Sequence, residues 1–298
     1  MKARFKQQLP LHLMLLPAVI ILIIFHYVPI FGVVIAFQDY SPGKGILGSE
    51  WVGLENFQYV FSLPSFWGVI FNTFFIAVTK LILNIVFPLT FALLLNEIGN
   101  SKWKKFVQTV TYLPHFLSWV VLGGLLVNIL SPTDGIVNNL LSSMGMEPVF
   151  FLGDAKIFPW TVIISDVVKE MGYGAVIYIA ALTAIDPTMY EAAVVDGAGR
   201  WKQTLCITLP SLVPTVILLG VLSMGNVLNA GFDQVYNLYS PAVYSTGDII
   251  DTFVYRLGLN DFQFAPATAV GLFKSLISTI MIVSSYKLAY KLTGYKVL

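Results

Sequence analysis

The chain has 298 residues, of which 57% are apolar and only 11% charged, and its mean hydropathy is +0.79. Soluble domains are about a quarter charged, so an ordinary soluble enzyme is excluded, and 14% aromatic residues exclude a disordered chain. A net charge of +1 argues against a nucleic-acid surface, the single Cys206 rules out a disulfide framework or cysteine zinc site, and the scattered His12, His26 and His115 form no metal-ligating pair.

A basic head of Lys2, Arg4 and Lys6 precedes a run with no charge before Asp39. The run is too long for a signal peptide, and His26-Tyr27-Val28-Pro29 follows it in place of a small-x-small cleavage site. It reads as a retained helix near 11–35. Asn56 to Thr79 is uncharged and continues past Lys80 to Asn96, which places a second helix near 67–92. Phe106 to Thr133 holds a third near 108–130. Phe158 to Ile185, with Asp166, Lys169 and Glu170 inside it, holds a fourth near 158–183. Gln203 to Phe232 holds a fifth near 208–231, and Phe262 to Tyr286, interrupted by Lys274, a sixth near 266–290. Each is long enough to cross a bilayer, which takes about 20 residues of helix. The expected fold is all-α, a polytopic membrane protein of six transmembrane helices forming one domain over residues 1–298.

Orientation follows from basic residues in the connecting segments. With both termini cytoplasmic, the inside carries Lys2, Arg4, Lys6, Lys102, Lys104, Lys105, Arg200, Lys202, Lys287, Lys291 and Lys296, while the outside carries only Lys44, Lys156 and Arg256. The outside segments 38–65, 131–157 and 232–265 are long enough to build a folded outer surface.

The segment 184–207, between the fourth and fifth helices, carries the chemistry. Asp186-Pro187 is an N-cap followed by the favoured first helical residue, and Gly197 and Gly199 supply left-handed positions that end a helix. A cytoplasmic helix of about ten residues is marginal alone in water and needs a surface to dock on. Two readings follow: a stub on lipid headgroups, or, because Ala192 and Ala193 are small and flanked by acids, insertion into a protein groove.

Glu191-Ala192-Ala193, three residues, Gly197, nine residues, and Ile207-Thr208-Leu209-Pro210 match the EAA motif at every fixed position, so the chain resembles the permeases of bacterial ABC importers. Tyr27-Val28-Pro29-Ile30-Phe31-Gly32, Gly53-Leu54-Glu55-Asn56-Phe57, Phe232-Asp233-Gln234-Val235-Tyr236 and Ala269-Val270-Gly271-Leu272-Phe273-Lys274-Ser275 resemble their carbohydrate branch, in particular permeases for pectin-derived polygalacturonan or rhamnogalacturonan fragments. The resemblance implies a type I ABC importer transmembrane domain that imports a carbohydrate across the cytoplasmic membrane. It implies a coupling helix carrying Glu191, Ala192, Ala193, Asp196, Gly197, Ala198 and Gly199, seated in a cleft of an ATP-binding subunit. It further implies a second homologous permease, two ATP-binding subunits holding ATP and Mg, and an extracytoplasmic solute-binding lipoprotein. The chain itself is expected to bind no cofactor and no metal. It has no G-x-x-x-x-G-K-[ST], G-x-S-x-G or H-E-x-x-H, so a translocation subunit rather than an enzyme is expected.

Charges inside a bilayer are costly and face the bundle interior or water. Asp166, Lys169, Glu170 and Tyr173 share one side of the fourth helix, and Lys80 and Lys274 lie near the middles of the second and sixth. They either neutralise one another or line a path for a hydroxyl-rich, acidic solute, with the spare lysine as attractant. Asn226 and Asn229 either link helices or donate to sugar hydroxyls. Tyr173 and Tyr178 are packing residues or stacking faces, and Trp119 and Trp160 interfacial anchors. The alternative class is an ion-driven secondary transporter, which calls for inverted repeats and discontinuous helices.

Overall fold

The computed structural model describes residues 2–225 and 227–293. In chain order its principal helices are α1 (Lys2–Leu22), α2 (Glu55–Ser62), α3 (Phe66–Asn96), α4 (Ser101–Tyr112), α5 (Trp119–Ile129), α6 (Ile136–Ser143), α7 (Phe158–Thr183), α8 (Pro187–Val195), α9 (Arg200–Gln203), α10 (Leu209–Met224), α11 (Phe232–Leu238), α12 (Ile250–Tyr255) and α13 (Phe264–Thr293). Among the described residues, four stretches are long and apolar enough to cross a membrane: His12–Phe37, Phe66–Asn96, Arg200–Met224 and Phe264–Lys287. A fifth is formed if the bent pair Ser101–Phe116 and Trp119–Ile129 is one span. The 26 residues of α7 reach about 39 Å at 1.5 Å per residue, but Asp166, Lys169 and Glu170 break its apolar character.

The third span is not the straight helix expected over 108–130. It turns by 106° between Phe116 and Trp119. Pro114 starts a tight 3-10 turn, Leu117 is extended, and Ser118 caps α5 by accepting the Val121 N–H at 3.4 Å. The fifth span likewise stops at Met224, short of the expected 231. Gly231, with φ +98°, makes the left-handed turn into α11.

The chain divides into two compact units. The first comprises Met1–Phe66 and Val254–Phe273. Here a short antiparallel ribbon pairs β1 (Gln38–Asp39) with β2 (Glu50–Trp51) in the register Gln38↔Trp51. Asn56 at the start of α2 donates to Ala36 O at 3.0 Å and Gln38 O at 2.9 Å, satisfying carbonyls where helix gives way to strand. Phe37 stacks on Trp51, and Phe61, Phe66 and Phe273 form an aromatic cluster.

The second unit comprises Trp67–Phe253 and Lys274–Leu298. Its main core gathers Ile76, Phe158, Val162, Ile163, Leu228, Val235 and Ile249, drawn from α3, α7 and the segments after α10. Helix contacts rest on small residues, as expected where lipid is as apolar as leucine. A Cβ at Gly172 of α7 would lie 2.2 Å from Thr111 O of α4, and one at Gly123 of α5 would lie 3.3 Å from Asn237 Cβ of α11. Gly172→Val therefore forces α4 from α7, an overpacking cost of about 1–3 kcal/mol. The expected result is a lower melting temperature and a smaller monodisperse fraction in detergent, read by size-exclusion chromatography.

Candidate functional site

Three ion pairs, buried or partly buried, organise the second unit. Lys80, near the middle of α3 and only 7% exposed, donates to Ala230 O at 2.8 Å and to Gln234 Oε1, and sits 3.3 Å from Asp166 of α7. Asp166 also accepts from Asn84 Nδ2 at 2.8 Å. Gln234, fully buried, donates to Val162 O at 2.7 Å and Ser165 Oγ at 2.9 Å. A cavity of about 180 Å³ beside this network is lined by Lys80, Asn84, Asp166, Ser223, Asn229 and Gly231. The buried Asn84 Oδ1 has no partner among the described residues.

The second pair lies at the bend of the third span. Lys169 donates to His115 O at 2.9 Å and pairs with Glu170 at 3.0 Å, while the other Glu170 oxygen is 2.7 Å from His115 Nδ1. The His115 ring stacks on Tyr173 with centroids 3.9 Å apart. Lys169 Nζ lies 5.6 Å from the centre of the Trp119 ring, a cation–π contact. In the third pair, Lys274 of α13 lies 2.6 Å from Asp251 and donates to Asn229 Oδ1 at 2.8 Å.

Asp166, Lys169, Glu170 and Tyr173 thus share a helix but not a cluster: Asp166 belongs with Lys80, and the other three with His115. The lysine expected to be spare is not, because Asp251, read as part of an outside loop, pairs with it. Tyr178 is 1% exposed among Ala92, Ala175, Leu182 and Leu212, so it has no free face for a sugar. Asn226 lies outside the described residues. The sequence reading named His115 and Gln234 without giving them a place in a polar network, and did not single out Asn84 or Asp251. Lys80 and Asn84 stand one helical step apart on α3, a local signal that points to a shared polar face.

The surface helix α8 is capped at both ends. Asp186 accepts the Thr188 N–H at 2.9 Å, and that bond holds its carboxyl below the usual carboxylate range. Gly197, at φ +75°, ends α8 in a Schellman motif, with Gly197 N–H donating to Val194 O at 3.0 Å and Ala198 N–H to Ala193 O at 2.8 Å. Gly199 is not left-handed as expected; at φ −66° and ψ 166° it is the extended cap of α9. Glu191, Ala192 and Asp196 are exposed, Ala193 and Ala198 half-buried. Met189, Val194 and Val195 present apolar side chains outward, Val195 with 88% of its surface free.

The model of the family described as binding-protein-dependent transport system inner membrane component matches residues 89–293. The polygalacturonan/rhamnogalacturonan transport system permease protein YteP of Bacillus subtilis (strain 168) is 42% identical over 96% of this chain and 89% of its own length. A solved bacterial ABC transporter involved in the import of the acidic polysaccharide alginate contains a chain 37% identical, with a TM-score of 0.90 and 98% of each chain covered. A second structure, of the bacterial alginate transporter in complex with an alginate pentasaccharide-bound periplasmic protein, matches with a TM-score of 0.89 and 37% identity over 98% of this chain and 97% of that one.

Truncating Lys80 to Met leaves the Asp166 carboxylate without its counter-charge and Ala230 O without its donor, a loss of about 3–5 kcal/mol. The yield of folded chain is expected to collapse in Lys80→Met and to recover in part when Asp166→Leu is added, as measured by thermal unfolding of both variants in detergent.

Proposed function

The chain belongs to the family of binding-protein-dependent transport system inner membrane components, the permease subunits of ABC importers, and on that premise we propose how it couples and what it carries. It is a multi-pass membrane protein and a translocation component, not an enzyme. Its cargo is a carbohydrate; the finer reading is an acidic, pectin-derived oligosaccharide, supported by the acidic polysaccharides that the relatives carry. It works with a second homologous permease, two ATP-binding subunits that hold ATP and Mg, and an extracytoplasmic solute-binding lipoprotein.

One observation carries the mechanism. Helix α8 is rigidly capped at both ends yet leaves Met189, Val194 and Val195 uncovered by the described residues of the chain. In this reading, Glu191, Ala192, Ala193, Asp196, Gly197, Ala198 and Gly199 form the coupling element. Small Ala192 admits close approach to an ATP-binding subunit, and Glu191 and Asp196 offer it ion pairs. Closure of the ATP-binding subunits moves α8, and the helices that follow it move with it.

The solute path uses the polar cavity at Lys80. Asn84 Oδ1 is an acceptor waiting for a hydroxyl, and Asp166 and Asn229 line the same space. Lys169, Glu170, Tyr173 and Lys274 complete the candidate path, with Tyr173 about half-exposed. Because Lys80, Lys169 and Lys274 are each paired with an acid, selection of an acidic solute falls mainly to the binding protein. Discontinuous helices, which the ion-driven alternative called for, serve equally well here and do not favour it.

The test is a reconstituted complex in which ligand-loaded binding protein stimulates ATP hydrolysis. Ala192→Trp blocks seating of α8. Gly197→Val meets no neighbour but must hold a left-handed backbone, costing about 1 kcal/mol or more. Both are expected to abolish stimulation with the subunits still assembled; full stimulation in both would sink the coupling reading. For orientation, in a Cys206→Ser background, Lys44→Cys and Glu147→Cys should react with an impermeant thiol reagent in intact cells, and Trp103→Cys should not. Labelling of the last would reverse the topology.

A further inference from the structure

Arg200–Met224 is one continuous helix of 25 residues, but it is not uniformly α-helical. Thr204–Thr208 forms a π turn, in which the Leu209 N–H reaches back to Thr204 O. Pro210 accounts for it: proline offers no N–H to the carbonyl four residues earlier and its ring would clash there, so the helix widens by one residue. The same event precedes Pro29, where Ile23–Tyr27 is also a π turn.

Widening changes what one side chain does. Thr204 and Ser211, on either side, turn their hydroxyls onto the carbonyls four residues back, at 3.0 and 2.7 Å. At Thr208 that carbonyl, Thr204 O, already serves the π turn. The Thr208 hydroxyl, in a residue only 5% exposed, instead meets the Tyr190 hydroxyl of α8 at 2.9 Å. Gln203 Nε2 donates to Ala198 O at 2.8 Å, bracing the intervening turn. The exposed Arg200–Glu97 pair at 3.2 Å adds little in water. Beside this junction lies a cavity of about 610 Å³, bordered by Leu93, Tyr190, Thr204, Thr208 and Leu209, which leaves room for the turn to shift.

We propose that Tyr190 and Thr208 are a positioning pair that carries displacement of α8 into the π turn and so into α10. The proposal rests on the coupling reading of α8 and adds the route beyond it. The bond adds a direct link between α8 and α10 to the covalent turn at Gly197 and Gly199 and its Gln203–Ala198 brace. With it, the loop between them is closed by a part-buried hydrogen bond. The π turn, where the α-helical ladder is interrupted, is the hinge about which α10 tilts as one unit. Ser223, at the far end of α10, lines the Lys80 cavity, so tilting α10 reaches the proposed path.

The experiment uses the assembled complex with its binding protein, in a Cys206→Ser background carrying Ser223→Cys. The quantity is the change that ATP–Mg with vanadate produces in the thiol-labelling rate at position 223. Tyr190→Phe and Thr208→Val should each shrink that change about threefold to tenfold, the equivalent of one net hydrogen bond, at normal subunit content. The double variant should be no worse than either single one, and Thr208→Ser should restore the response. A full response in both single variants, additive losses in the double, or loss of assembly in both would overturn the proposal. Ala192→Trp separates the two ideas. If it leaves the response intact, the coupling reading itself fails; if it abolishes the response while Tyr190→Phe and Thr208→Val do not, only the route proposed here fails.

Discussion

A backbone carbonyl with no donor is costly in hydrocarbon, so a spanning chain can leave the helix only where something satisfies the groups it frees. Two buried lysines do this here. Lys169, about 17 Å along α7, donates to His115 O where the third span bends, and Lys80, about 21 Å along α3, donates to Ala230 O where the chain runs between α10 and α11. Each is partnered by an acid, Glu170 and Asp166, so the ammonium remains usable as a donor without standing alone in low dielectric. Each break thus has a freed carbonyl satisfied by one of these lysines.

The elements beyond the breaks are the short helices α5 and α11, and they meet at Gly123 against Asn237 and Leu238. Neither is long enough to span. Both exist because the chain has been allowed to turn, and their mutual packing gives the irregular backbone a rigid continuation. The polar cavity lies on the same network, with Asn84 and Asp166 on one side and Asn229 and Gly231 on the other. Groups that hold the fold, Lys80 and Asp166, therefore also line the cavity through which the path is proposed.

The surface helix obeys different physics. Its limits are local: Asp186 satisfies the first free N–H, and the Schellman turn at Gly197 satisfies the last carbonyls. Nothing in its own nine residues holds it against the bundle except side chains such as Tyr190. A helix so short keeps its shape by capping and its position by a few contacts, which suits an element that docks on a partner and must move with it.

The sequence by itself determined whatever depends on neighbours within about one helical turn, and on the absence of charge over a bilayer's thickness. The uncharged runs located the apolar helices, Asp186-Pro187 and Gly197 the ends of α8, and the Glu191-to-Pro210 spacing the family. The Leu113-Pro114 and Ser118 signals at the bend were also present, but hydropathy over 108–130 is uniform and conceals a change of direction. Tertiary structure alone decided which charges meet. Lys80 and Ala230 are 150 residues apart, and no periodicity in α3 or α10 records that distance. Asp251 became the partner of Lys274, and His115 that of Glu170, only once the helices had packed. Burial makes a charge choose its partner, and burial is a property of the assembled bundle rather than of any one segment.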